Sequence, residues 1–334
     1  MLKLSVLDQS IAVSGRPQGA AIRETIALAS HCEDLGYHRF WVSEHHNHPA
    51  IVGTAPEIVI AAIASNTEKI RVGSAGVMLP HYAPFKVAEQ FRVLDAIAPG
   101  RIDLGLGRAP GSDGLTAFAL NPNAAERPNQ FTNDVMDLDA WIHGEPLQDG
   151  HTFSKLTAQP TGETVPEVWI LGSSAFGAQV AAHFGLPYAF AWFFTDGHGG
   201  KEAIEIYREH YKPSNRHETP NPAICVWALA AETHEEAQYH FSSRARWQLY
   251  RDRGLHLSFE TPEVSMEQDY NEYEQARIEE LRQKTFVGTG EEVAERINTL
   301  SKQLGVEEVA IVTWAHSDEA RRNSYSEIAK AFDM

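Results

Sequence analysis

The sequence predicts an α/β chain folded as a (β/α)8 TIM barrel with insertion loops, and three observations carry that prediction. Short apolar runs alternate with helical stretches in steps of roughly 30 residues, the spacing of right-handed βαβ units. Eight such runs can be traced between Leu2 and Trp314. They end repeatedly on polar or Gly-rich residues, as barrel strands do at the carboxyl face where active sites form. At 334 residues the chain fits one such barrel over its whole length. A doubly wound open sheet is the alternative, and the even spacing disfavours it.

In chain order, Leu2–Leu7 is a strand ending at Asp8, and Ala20–Leu35 has the Ile22/Ile26/Ala29 spacing of a helix closed by Gly36. Arg39–Ser43 is the second strand, followed by a helix at Pro56–Ser65 with proline in its first turn. Ile70–Leu79 is the third strand, unusual in carrying Gly73 and Gly76. A helix at Pro84–Ala98 stops at Pro99-Gly100, and Arg101–Leu106 is the fourth strand. Asn129–Ile142 reads as a helix and His143–Pro166 as a Gly/Pro/Thr-rich excursion. Glu167–Leu171, Tyr188–Phe194 and Ala223–Ala231 are strands five to seven, each followed by a helix. Gly254–Thr285 is a polar, acidic insertion. Val287-Gly288-Thr289 and the helix Glu291–Leu304 then precede the last strand, Val309–Trp314.

Composition narrows the function. A formal net charge of −17 opposes nucleic-acid and anionic-membrane partners. The only cysteines, Cys32 and Cys225, imply no disulfide framework and fit a reducing cytosol. The N-terminus is too short and polar for a signal peptide, and no apolar run approaches the roughly 20 residues of a membrane span. A soluble, cytoplasmic protein is expected.

The stretch RFWVSEHHNH, Arg39–His48, is where chemistry first concentrates. It admits a metal cluster, an acid/base histidine beside a cofactor, or a His-rich surface loop. A metal barrel would be expected to bring further His or Asp ligands on later strands. Here the later strand ends offer Gly107-Arg108, Gly172-Ser173-Ser174 and Trp192, groups for a phosphate and a flat aromatic ligand. No metal site is expected. Ser173 and Ser174 stand where strand five turns into a helix, so free backbone N–H groups and the helix dipole favour an anion there. Gly177 leaves room for a close approach, and Arg108 can add a charge-assisted bond. Ser-Ser could equally be a plain N-cap, and Arg108 could pair with a carboxylate. Gly105-Leu106-Gly107 is not a dinucleotide fingerprint, lacking the third glycine at the required offset.

Over nearly its whole length the sequence resembles the luciferase-like flavin monooxygenases. The resemblance is carried by Trp41–His46 (WVSEHH), Arg71–Pro80, Ala88–Asp95, Pro99–Asp113 (PGRIDLGLGRAPGSD), Gly172–Trp192 and Phe286–Val293. It implies a (β/α)8 barrel, commonly dimeric, that works with O2 and reduced FMN supplied by an NAD(P)H:flavin reductase. Carried over by position, His45 matches the acid/base near the flavin. Arg108, Arg127, Ser173 and Ser174 match phosphate binders. Gly177 falls where the family has a small hydroxylated phosphate ligand, a departure from the pattern. Ala75-Gly76 falls at a non-prolyl cis peptide behind the isoalloxazine, and Trp192 at a flavin-pocket tryptophan. Glu44 and His46 are expected to hold His45, with His48 peripheral. Gly254–Thr285 falls where the family has a mobile lid. A homodimer is implied, joined through the helices after strands one to three. Two further readings stand beside the monooxygenase: a deazaflavin (F420)-dependent hydride-transfer enzyme and a non-catalytic flavin-binding protein. The substrate is not legible beyond a small organic molecule.

Overall fold

A computed structural model describes residues 2–123 and 125–334. In chain order its elements are β1 (Lys3–Asp8), α1 (Gln18–Asp34), β2 (Arg39–Val42), α2 (Pro56–Ala64), β3 (Arg71–Met78), α3 (Pro84–Ile97), β4 (Ile102–Gly107), α4 (Gly114–Leu120) and α5 (Phe131–His143). Then come β5 (Glu167–Gly172), α6 (Ala175–Phe184), β6 (Tyr188–Phe190), α7 (Gly200–Glu209), β7 (Pro222–Ala231) and α8 (His234–Asp252). The chain closes with α9 (Pro262–Met266), α10 (Glu272–Lys284), β8 (Phe286–Thr289), α11 (Gly290–Leu304), β9 (Glu308–Val312) and α12 (Asp318–Ala331).

All strand pairings are parallel, and the ring closes through β6–β7, β7–β9 and β9–β1. Among the described residues, eight of nine strands make this barrel. The ninth, β8, pairs only with the distal half of β7, Ala228–Ala231. The four-residue FVGT run is therefore a strand that lies outside the ring. A second correction concerns strand six, which ends at Phe190. Trp192–Phe194 turns into a 3-10 helix instead of extending to the expected boundary.

Period-two alternation sorts the strand residues into two cores. Leu4, Val6, Phe40, Val72, Leu104, Ile170, Ile224 and Ile311 face the helices. Leu7, Trp41, Trp169, Cys225, Ala310 and Val312 fill the barrel interior. Trp41 and Trp169 meet edge to face at 5.2 Å, and each indole N–H donates to a carboxylate, of Asp103 and Glu167 respectively. Beneath them a charged layer plugs the amino end. Buried Arg39 pairs with Asp103 at 2.9 Å, Glu167 at 2.6 Å and Glu308 at 2.9 Å. With that end sealed, chemistry is left to the carboxyl face.

The polar insertion is structured by local chemistry. Asn271 and Glu274 form a reciprocal capping box that starts α10. Buried Phe259 anchors the segment: its carbonyl accepts from Ser14 N–H at 2.9 Å and its ring meets Trp314 at 5.7 Å.

Candidate active site

β2 ends at Val42 and releases Ser43–His48 across the carboxyl face. Glu44 turns inward and is fully buried. It accepts three hydrogen bonds, from His46 Nε2 at 2.7 Å, Tyr82 Oη at 2.5 Å and the Met78 amide at 2.9 Å. The carboxylate thus joins the end of β2 to the end of β3 and the turn after it. Burial and the adjacent Glu44 charge push the Tyr82 phenol well above its ordinary range.

His45 lies half-buried beside this anchor. Its Nδ1 is 3.1 Å from Ser43 Oγ, and its amide donates to Gly53 O at 2.9 Å. Glu44 and His46 therefore hold the loop, while the imidazole itself rests on Ser43. The expected support of His45 by Glu44 and His46 thus runs through the loop, with no hydrogen bond from either side chain to the ring. Burial, followed by the nearby His48, Arg251 and His46, pushes the His45 pKa down to about 4. At neutral pH it is an uncharged imidazole, able to accept a proton. His48 is less peripheral than expected. Its Nδ1 accepts from the Ala50 and Ile51 amides, and its ring lies 5.9 Å from Trp247 and 5.1 Å from His256.

The loop after β4 docks onto the β2 loop. The His46 amide donates to Gly111 O at 3.2 Å, and Asn47 Nδ2 donates to Asp113, which also N-caps α4. This brings the EHHNH and GRAPGSD motifs together. Arg108 leaves the end of β4 exposed, its guanidinium carbon 3.9 Å from the Phe176 ring centre. Among the described residues it has no carboxylate partner, so the alternative reading of a structural ion pair has no support. Phe176 is in the first turn of α6 and also packs on Phe131 at 6.3 Å.

The start of α6 fits an anion. Ser174 stands at the N-cap with extended backbone, yet its side chain makes no capping bond, and the first turn contains no acidic residue. The helix's first N–H groups and the Ser174 hydroxyl are therefore open to a ligand, with Ser173 next to them and half-buried. Gly177 sits in close packing that leaves little room for a side chain. A Cβ there would meet the Gly172 Cα and the Tyr188 ring, each at 3.3 Å. What it can offer a ligand is its backbone N–H.

Arg127 is the other predicted phosphate binder. It pairs with Asp134 at 2.6 Å, and its buried Nε is left without a partner. Ala75-Gly76 is a cis peptide at the barrel mouth. A Cβ on Gly76 would stand 2.6 Å from both the Gly105 carbonyl and the Leu171 side chain, so strand packing demands the glycine. Trp192 stands at the end of β6 with its ring against Gly197 and Gly200, where an added Cβ would lie 2.6 Å from it.

Sequence reasoning missed Ser43, Tyr82 and Phe176, which act through contacts distant in sequence or through neighbours that looked like plain strand or helix residues. It also missed Arg244, Trp247, Arg251 and His256. No local signal in the sequence marks the arginines of α8 as turned inward.

The chain is similar to known proteins over nearly its whole length. The model of the luciferase-like monooxygenase family matches residues 4–308. The chain is 42% identical over 333 residues to the uncharacterized protein YwcH of Bacillus subtilis, covering 99% of both chains. It is 36% identical over 335 residues to N-acetyl-S-alkylcysteine monooxygenase of the same organism, covering 99% of this chain and 98% of that one. Among solved structures, apo-MsnO8 superimposes with a TM-score of 0.88 at 32% identity, covering 100% of this chain and 99% of the other. Two structures below 20% identity share the fold. One is the FMN-bound oxygenating constituent of 3,6-diketocamphane monooxygenase from Pseudomonas putida (TM-score 0.71, 19%), covering 99% of this chain and 98% of that one. The other is an F420-dependent secondary alcohol dehydrogenase (TM-score 0.70, 16%), with the same coverage. The chain belongs to the luciferase-like monooxygenase family.

Proposed function

We propose that the protein is a flavin-dependent monooxygenase. In this reading it takes reduced FMN from a separate NAD(P)H:flavin reductase and uses O2 to oxygenate a small organic substrate. The observation that carries the proposal is the pairing of an uncommitted helix N-terminus with an unpaired arginine at neighbouring strand ends, on the face that bears a neutral histidine. Backbone N–H groups at the α6 start, Ser173, Ser174 and Arg108 would hold the FMN phosphate. Arg127 is a second cation for it if its pair with Asp134 opens. Ala75, Gly76 and Trp192 would border the flat ring system. Bound reduced FMN supplies the electrons that activate O2. The chain's own part is to keep water out and to move protons. His45, uncharged and backed by Ser43, accepts a proton at the reacting centre. His45→Ala should lower product formation while FMN affinity persists, and unchanged product formation removes His45 from the mechanism.

The acid-rich segment 254–285 borders the barrel mouth through Phe259 and is proposed as the cover of the site. Exposed Ile58 on α2 and Val93 and Ile97 on α3 support a homodimer through these helices, which light scattering tests. The deciding experiment is an anaerobic spectral titration with reduced FMN and, separately, reduced F420. Saturable binding of FMN alone supports the proposal. Binding of F420 alone replaces it with hydride transfer, and binding of neither overturns it.

A further inference from the structure

The inward face of α8 holds a buried cation that has no ion-pair partner among the described residues, with Asp196 and Asp252 acting on it only from a distance. Three other arginines are comparably buried, and each is compensated. Arg39 has three carboxylates, Arg321 pairs with Asp8 and Asp318, and Arg92 donates to the carbonyls of Ile142, Pro160 and Thr164. Arg244 is 5% exposed and makes one hydrogen bond among the described residues, from Nη1 to Gln248 Oε1 at 2.6 Å. The chain carries 45 Asp and Glu residues, yet none of those described forms an ion pair with it. Tryptophan rings surround it instead. Its guanidinium carbon lies 5.4 Å from the ring centres of Trp247 and Trp314 and 5.7 Å from that of Trp227.

Ring faces answer part of a cation's charge but accept no strong hydrogen bond. Arg244 Nε is left without a partner, and so are the neighbouring indole N–H groups of Trp227 and Trp247, all three buried. A buried donor without an acceptor is costly, and a buried cation without an anion more so. Burial and the neighbouring Arg251 accordingly depress the Arg244 pKa to about 9. Arg251 lies seven residues along the same helix face. It is half-buried and stacks on Phe194 at 4.9 Å, and it too has no carboxylate partner among the described residues. The cluster adjoins the candidate active site, because Trp247 packs on His48 and Arg251 is among the charges acting on His45.

We propose that Arg244, Arg251 and the three tryptophans form a receptor for an anionic group of the substrate, a carboxylate or sulfonate at the end of an apolar body. Of the two arginines Arg251 is the more exposed and Arg244 the more deeply buried. The anion accepts from Arg244 Nε and the free indole N–H groups, and the rings pack against the apolar part. Calling the ligand a substrate rests on the monooxygenase reading, while the binding preference itself does not.

The test uses the purified full chain without flavin and reads tryptophan fluorescence, since three of its seven tryptophans line the cluster. Sodium hexanoate and sodium hexanesulfonate should each give a saturable change, with hexanamide binding at least about tenfold more weakly. Arg244→Gln should abolish the preference for the anions, and Arg251→Gln, at a less buried position, should reduce it several-fold. Both variants should keep the wild-type FMN titration. Equal binding of hexanoate and hexanamide, no saturable binding of either, or an undiminished preference in both variants overturns the proposal. If inorganic phosphate displaces hexanoate and Arg244→Gln loses FMN affinity, the cluster is a flavin-phosphate site and the substrate assignment fails. Failure of the FMN titration alone would count against the flavin reading and not against this receptor.

Discussion

Glu44 offers the sharpest test of how the β2 loop is held. Glu44→Gln keeps the shape of the side chain and exchanges one carboxylate oxygen for an NH2 group. Oε1 now accepts from His46 Nε2 and Tyr82 Oη, and Oε2 accepts from the Met78 amide. The glutamine oxygen can serve the first pair, but its NH2 then opposes the Met78 N–H, donor against donor. A bond to a buried charged group contributes about 1.5–3 kcal/mol, and the stranded amide adds a desolvation cost, so the loss should be about 3 kcal/mol. With an unfolding entropy of about 2.1 cal/mol/K per residue, a chain of 334 residues has about 0.7 kcal/mol/K in total. The expected fall in Tm is therefore ~4 °C, measured by circular dichroism at pH 7. The phenol of Tyr82, freed of the adjacent charge, should also ionise at lower pH in an ultraviolet titration. A Tm within 1 °C of wild type, together with an unchanged Tyr82 titration, would refute the anchoring role.

Two further outcomes follow from the charges. Burial pushes His38, His45 and His48 each down to about 4. Their folded values lie below the unfolded one, so the unfolded chain takes up protons first and stability falls as pH drops from about 6.5 to 4. The slope per histidine is at most ~1.4 kcal/mol per pH unit, and after discounting partial exposure the combined loss should be about 3 kcal/mol. Glu167, held at about 2 despite burial by Arg39 and the Trp169 N–H, acts in a lower window and loses its contribution only from about pH 4.5 to 2. Urea midpoints that stay level from pH 7 to 5 would contradict the histidine assignment. Arg39→Met leaves Glu308 with only the Ser5 hydroxyl among its present bonds and should cost about 3–5 kcal/mol at pH 7. Because Glu308 is already raised by burial, that deficit should shrink toward pH 5 as the carboxyl protonates. A pH-independent deficit would mean that the uncovered charge is not the cause.

The parts of the fold that were legible are those written in local periodicity. β1 to β5, β7 and β9 follow from apolar runs, and α1 to α3 from helical spacing with Pro or Gly at their ends. β6 was overread because Trp192–Phe194 is apolar enough to look extended, while the chain must turn there to bring Trp192 onto Gly197 and Gly200. β8 is only four residues long and pairs outside the ring, a tertiary fact with no period of its own. The candidate site was legible where its residues follow directly on a strand, as with His45, Arg108 and Ser174. It was illegible where partners lie far apart in sequence. Glu44 and Tyr82 are 38 residues apart, and the ion pair of Arg39 with Glu308 spans 269. Arg244 was hidden differently: a charged helical residue ordinarily marks solvent, and only the fold reveals three tryptophans around it.

If the α6 start and Arg108 bind the phosphate of a flavin, titrations with FMN and with riboflavin, which differ only in that phosphate, will separate the two ligands, and repeating both with Arg108→Ala will show what the arginine contributes. FMN should bind about 10–100-fold tighter than riboflavin, from one or two charge-assisted bonds, with most of that advantage lost in the variant. Equal affinity for the two flavins, or an FMN advantage that survives the loss of Arg108, would contradict the phosphate assignment.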